Sequence, residues 1–217
     1  MRVKGLTILA AVITGLPVAG LLLPMTVLGA SPPRPSTTCG NSNSGQIKYT
    51  TNVDADGRGY KRAHNDVLFI TAPGQTSGSR TLSATSTFSA SVAVSPSITV
   101  SASAVVASVE GTVGMDLNLG VAFSTGDSWT VGPYKNTTSS YRDAVAFVGT
   151  RTVAGQYTKW KCGLSASTGF YAWLTQTTNT YRLWNQIVVG MAWCNDDAAI
   201  RAQYGQWSLQ YSAVSAC

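Results

Sequence analysis

The sequence predicts an all-β fold: an elongated sandwich or extended twisted antiparallel sheet with a long amphipathic hairpin. Three observations lead there. Ser and Thr together number 50 of the 217 residues and Gly adds 21, a balance that favours strands and turns. Only one of the nine acids is Glu, and Leu and Lys are sparse, so long amphipathic helices lack their usual residues. Finally, apolar and hydroxyl residues alternate at a period of two over long runs, the spacing of a strand with two unlike faces. Charged residues make up 11% of the chain beside 44% hydrophobic ones. A disordered charged tail, which combines low hydrophobicity with high net charge, is thereby excluded.

Residues 1–30 have the form of a signal peptide. Arg2 and Lys4 supply a positive start, residues 5–30 carry no charge, and Leu28-Gly29-Ala30 sets small residues before a cleavage point near Ala30. The run is also long enough for a retained membrane anchor, which takes about 20 apolar residues. Pro17, Pro24 and the small-residue end favour cleavage. A lipoprotein would carry Cys where Ser31 stands. Removal of these residues leaves 187, with 13 basic and 9 acidic side chains and a net charge of +4. That suffices for a single all-β domain over residues 46–217, preceded by a flexible Pro/Ser/Asn spacer over 31–45. The basic pairs Lys61-Arg62 and Lys159-Trp160-Lys161 form no stripe, so nucleic acid is not expected as a partner.

Four cysteines, Cys39, Cys162, Cys194 and Cys217, follow the leader. An even number in an exported chain implies two disulfides. A metal site is disfavoured, because no two Cys are close and the chain has one His. Three pairings are possible; the preferred one joins Cys162 to Cys194 and Cys39 to Cys217, tying the chain ends together.

Along the domain, residues 46–53 read as a strand, Asp54-Ala55-Asp56-Gly57 as a turn, and residues 66–71 as a short buried strand closed by Ala72-Pro73-Gly74. The tract over residues 81–130 is the most informative. Residues 81–109 carry no charge. From Leu82 to Ala104 even positions are almost all apolar and odd positions are mostly Ser or Thr, and from 112 to 124 the alternation resumes in the opposite parity. A two-limbed hairpin with a greasy and a hydroxyl face is expected. Its tip is ambiguous, because Ala102, Val105, Val106 and Val109 also fit helical spacing. Further segments of strand character follow at 141–153, 156–162, 169–177, 181–194 and 200–213.

Catalytic chemistry finds little support, and no enzyme is expected. His64 is the only histidine, and no Gly-x-Ser-x-Gly elbow occurs. Asp196-Asp197 reads as a solvated turn rather than a carboxylate pair. The sequence Asn52-x-Asp54-x-Asp56-Gly57 opens like a calcium loop, but Ala63 stands where the bidentate acid belongs. No cofactor or metal is therefore expected. Asn136-Thr137-Thr138 is formally a glycan acceptor. Aromatics such as Tyr171, Trp173, Trp184, Trp193, Tyr204 and Trp207 suit a core at strand spacing, with a sugar- or receptor-binding surface as the alternative.

The tract departs from an ordinary sheet face in length and in freedom from charge, since solvent-facing strands usually carry Lys or Glu against edge pairing. Each limb exceeds the 9–11 residues of a bilayer-crossing strand. This hydroxyl-rich alternation in an exported all-β chain resembles the insertion region of aerolysin-like β-pore-forming proteins. It also looks like small secreted Ser/Ala/Val-rich proteins of Gram-positive soil bacteria. The first resemblance implies a soluble monomer that oligomerises on a membrane and threads its hairpin into a shared barrel. Leu82, Phe88, Val92, Val94, Ile98, Val100, Val113, Met115, Leu117, Leu119, Val121 and Phe123 would then face lipid. Ser89, Ser91, Ser97, Thr99, Ser101, Asp116 and Asn118 would line the pore, with the Asp116 ring favouring cations. Pro96, mid-limb and without an N–H, would have to mark a bulge or rim. The expectation is thus a secreted, membrane-active protein whose partner is membrane lipid or a cell-surface receptor and which forms a homo-oligomer there. The alternative is a non-enzymatic extracellular binding or surface-associated protein with a structural ribbon.

Overall fold

The computed structural model describes residues 30–64, 67–204, 209–215 and 217; the expected signal peptide lies outside them except for Ala30. In chain order the elements are β1 (Ile47–Arg62), β2 (Val67–Thr71), β3 (Arg80–Ser83), β4 (Phe88–Val92), α1 (Ala102–Val113), β5 (Gly120–Phe123), β6 (Ser128–Val131), β7 (Arg142–Leu164), β8 (Tyr171–Trp193), α2 (Asp197–Tyr204) and α3 (Leu209–Val214). The fold is all-β. An open antiparallel sheet runs β1-β7-β8-β4-β5, with β2 also on β7, and β3 pairs β6 in a separate ribbon.

The long hairpin is β7–β8 and not the 81–130 tract. Each strand has 23 residues, about 75 Å at the usual rise. The sequence reading divides this pair into four strands, and the structure joins them. Gly155, in the gap between the expected strands 141–153 and 156–162, lies inside β7, where a Cβ would stand 2.1 Å from the Asn52 carbonyl oxygen and 2.8 Å from Tyr181 Oη. It is there for close approach. Register shifts at Thr150/Thr152 and Lys159/Trp160 absorb the irregularities without ending the ladder. Likewise the expected turn at residues 54–57 is a bulge between Val53 and Arg58, across which β1 continues. The expected strand over 200–213 is instead occupied by α2 and α3.

Four clusters cover the two faces of β7–β8. Toward the Arg142 end, the β3–β6 ribbon packs Leu82, Ala84 and Val131 on Ala144, Ala146 and Val148. On the other face α3 sets Leu209, Ala213 and Val214 on Val145 and Phe147. Residues 144–150 are consequently buried on both faces, which explains the apolar run from Ala144 to Gly149. Toward the hairpin turn, α1 occupies one face over Val153, Tyr157 and Leu183. The N-terminal arm occupies the opposite face over Trp160 and Trp173.

The two disulfides are Cys39–Cys162 and Cys194–Cys217, not the expected pairing. The arm meets both strands of the hairpin: Trp173 Nε1 of β8 donates to the Thr37 carbonyl at 2.6 Å, and Gly45 N–H to the Cys162 carbonyl of β7 at 2.8 Å. Cys194 closes β8 and is bridged to the chain end across α2 and α3. The segment expected as a flexible spacer is thus bridged to the sheet and contains a 3-10 turn at Asn41–Asn43.

Candidate functional site

The 81–131 tract folds as two short ladders with a helix between them. β3–β6 pairs Leu82 with Trp129, and β4–β5 pairs Phe88 with Phe123. The continuous two-limbed hairpin is therefore corrected at its outer half, where α1 stands. Ser101 caps this helix, its hydroxyl accepting from Ala104 N–H at 3.3 Å, and Gly114 ends it at φ 70° with its N–H on the Glu110 carbonyl. These caps are legible in the sequence. The alternation masks them, because Val105, Val106, Val109 and Val113 serve either period.

A register slip explains which apolar residues are hidden. Leu82↔Trp129 and Phe88↔Phe123 align apolar with apolar, but beyond a bulge Ser89 faces Val121 and Ala90 faces Gly120. A one-residue shift moves side chains to the opposite face. Accordingly Leu82, Phe88, Leu117 and Phe123 are buried, whereas Val121 is 57% and Leu119 37% exposed. Val92, Ile98, Val100, Val113 and Met115 are half-buried, and Val94 is exposed. All seven expected pore-lining residues, Ser89, Ser91, Ser97, Thr99, Ser101, Asp116 and Asn118, are exposed.

β1 and β7 hold the outer half of the tract mainly through its backbone. Tyr157 Oη donates to the Ala93 carbonyl, Lys159 Nζ to the Thr99 carbonyl, and Ser101 N–H to Tyr49 Oη at 3.0 Å. Pro96 lies in the exposed turn between them, where Ile98 N–H donates to the Ser95 carbonyl at 3.2 Å. α1 returns along β1 with Val105 and Val109 buried. Thr51 Oγ1 lies 3.2 Å from Thr112 Oγ1 and 3.3 Å from the Ser108 carbonyl. Glu110, the chain's single Glu, accepts the Leu117 N–H at 2.8 Å and closes the return. Asn118 bridges by backbone to Trp184 of β8.

Burial raises the pKa of the Tyr157 phenol and, with the Asp54 carboxylate nearby, that of Tyr181. Both hydroxyls act as donors, Tyr181 to the Asn52 carbonyl at 2.7 Å.

The remaining sequence candidates resolve as structure. His64 Nδ1 sits 2.6 Å from the Ser83 carbonyl, and no metal-binding cluster occurs among the described residues. Asp196 is paired with Arg142 at 2.7 Å. Asp54 lies in the β1 bulge with its buried Oδ1 unpartnered among the described residues. Asn136 is fully buried, donating to the Thr71 and Ser140 carbonyls and accepting from Thr138, so its amide supports a turn rather than a glycan. Trp160 and Trp173 belong to the core. The side chains of Tyr204 and Trp207 lie outside the described residues. No described helix is long and apolar enough to cross a membrane. No protein-family model, curated protein or solved structure matches the chain.

Proposed function

We propose that this is a secreted, membrane-active protein, released by cleavage near Ala30, in which the 81–130 tract leaves its own domain, oligomerises with other copies and inserts as a β-hairpin to form a pore. The carrying observation is the mismatch between the tract's pattern and its fold. Extending the Leu82↔Trp129 and Phe88↔Phe123 register outward would set Val92, Val94 and Ile98 opposite Leu119, Leu117 and Val113. From Phe88 outward to Ile98 one face would then be apolar, and the other would carry Ser, Thr, Asn118 and Asp116 among small Gly and Ala residues, the two-faced character of a bilayer strand pair. The present fold forgoes that alignment through the bulge and α1. α1 is itself a weak helix former, with five β-branched residues and one Gly among its twelve. Two disulfides are compatible with an extracellular setting.

The second reading is an extracellular binding or surface-associated protein in which the tract stays put. It draws on the burial of Leu82, Phe88 and Phe123 in the core against β7 and β8. Dye-loaded liposomes separate the two. Pore formation predicts leakage together with high-mass oligomers on an unboiled denaturing gel, and absence of both across lipid compositions rejects it. A Thr51→Cys, Thr112→Cys pair, placed where the hydroxyls lie 3.2 Å apart, should lock α1 to β1 and block leakage. Leakage from the locked form would mean that another segment inserts.

A further inference from the structure

The far end of the β7–β8 hairpin carries large apolar side chains into solvent. Phe170 is 76% exposed, Leu164 60%, Ile47 43% and Tyr171 36%. Leu164 faces Tyr171 across the ladder and Ile47 faces Lys161, so the four share one end of the sheet. The turn that presents Phe170 is ordered: Gly169 adopts φ 71° and donates to the Ser165 carbonyl at 2.8 Å, and Ser165 N–H donates to the Phe170 carbonyl at 2.9 Å. Beneath it the Cys39–Cys162 bridge and the buried Trp160 and Trp173 form a firm base.

Charge at this end has one sign. No charged residue occurs from Cys162 to Tyr181, and no Asp or Glu from Ala144 to Asn195 or from Ser31 to Val53. Arg34, Lys48, Lys159 and Lys161 fall in those acid-free stretches. Lys159 and Lys161 lie three to five residues behind Leu164 along β7, a setback of roughly 10–17 Å. An uncharged apolar and aromatic tip with a basic collar matches the interface of an anionic bilayer, where aromatics sit at headgroup depth and each lysine gains from the surface potential. The outer half of the tract reaches the same end, since Lys159 holds Thr99.

We infer that the β7–β8 tip, through Phe170, Leu164 and Lys161, is a docking surface for anionic phospholipid membranes and sets the outer half of the 81–130 tract against the bilayer. The choice of lipid as partner rests on the membrane-active reading, but docking and insertion are separable events. The full disulfide-bonded protein is sedimented with vesicles of phosphatidylcholine, alone or with one quarter phosphatidylserine, and leakage is read in parallel. Phe170→Ser with Leu164→Ser should weaken binding at least about tenfold, and Lys161→Gln about fivefold on the anionic vesicles alone. Tyr141→Ser is the control: Tyr141 is 70% exposed but adjoins the opposite end of β7, and its loss should leave binding unchanged. Thermal melting establishes that each variant is folded. Wild-type binding by the double tip variant, or no wild-type binding to either vesicle, overturns the docking surface. Leakage that survives the tip substitutions also overturns it and leaves the pore standing. Tip-dependent binding without leakage keeps the docking surface and removes the pore.

Discussion

Gly155 and Tyr181 show how single side chains allow three strands to run as one sheet. Their backbones oppose each other in the β7–β8 ladder, and the space left by the missing Cβ admits Tyr181 Oη to the Asn52 carbonyl of β1. Gly155→Ala puts a methyl into backbone, so it should destabilise by about 2–3 kcal/mol, read from the urea midpoint. Tyr181 also links stability to pH. Burial, and then the Asp54 carboxylate, raise its folded pKa above the ordinary 10.0. The folded state therefore binds more protons between those two values, and stability falls as pH rises through that window, starting near pH 10. Tyr134 and Tyr157 shift in the same direction. Tyr181→Phe should lose about 1 kcal/mol at neutral pH with its hydrogen bond yet flatten the alkaline decline; unfolding midpoints at neutral and alkaline pH check both.

Among the elements, α1 is where local preference and adopted structure disagree most. Its caps are sound, but its interior is rich in Val and contains Gly111, whose Cβ position is open. Gly111→Ala should stabilise the helix by about 0.5–1 kcal/mol and raise the melting temperature. If α1 must unwind for insertion, the same substitution should slow dye release in proportion. A raised melting temperature with unaltered release would place α1 outside the inserting segment. β4 and β5 show the complementary point. Their bulge turns Leu119 and Val121 outward, so the greasy face of the tract is only partly covered at rest.

In the molecule as a whole, β7–β8 acts as a spine to which the arm, the β3–β6 ribbon, α1 and the C-terminal helices are fastened, each on its own half and face. The bridges reinforce two of these attachments. Cys39–Cys162 spans 123 residues and Cys194–Cys217 spans 23. By loop-closure entropy their loss costs about 4–5 and about 3 kcal/mol. Replacing Cys39 and Cys162 with Ser should therefore lower the melting temperature more than replacing Cys194 and Cys217. It should also shift tryptophan emission to the red, because the arm covers Trp160 and Trp173. An unshifted spectrum would mean that the arm stays docked without its bridge.

Composition and period were enough for the all-β class, the two-disulfide count and the amphipathic character of residues 81–130, since these follow from propensity and local spacing. The seven residues expected to line a pore are exposed, as polar residues outside a core usually are. Three matters depended on contacts distant in sequence. The gap at residues 154–155 closes only when Asn52 and Tyr181 are brought against Gly155, so β7 looked like two strands. Val105 and Val109 suit a strand or a helix equally, and burial against Val153 and Tyr157 selects the helix. Cysteine spacing is silent on partners, because pairing follows from which strand end the arm and the C-terminal helices reach. Period reports how a segment's faces differ; packing alone settles which face is covered and by what.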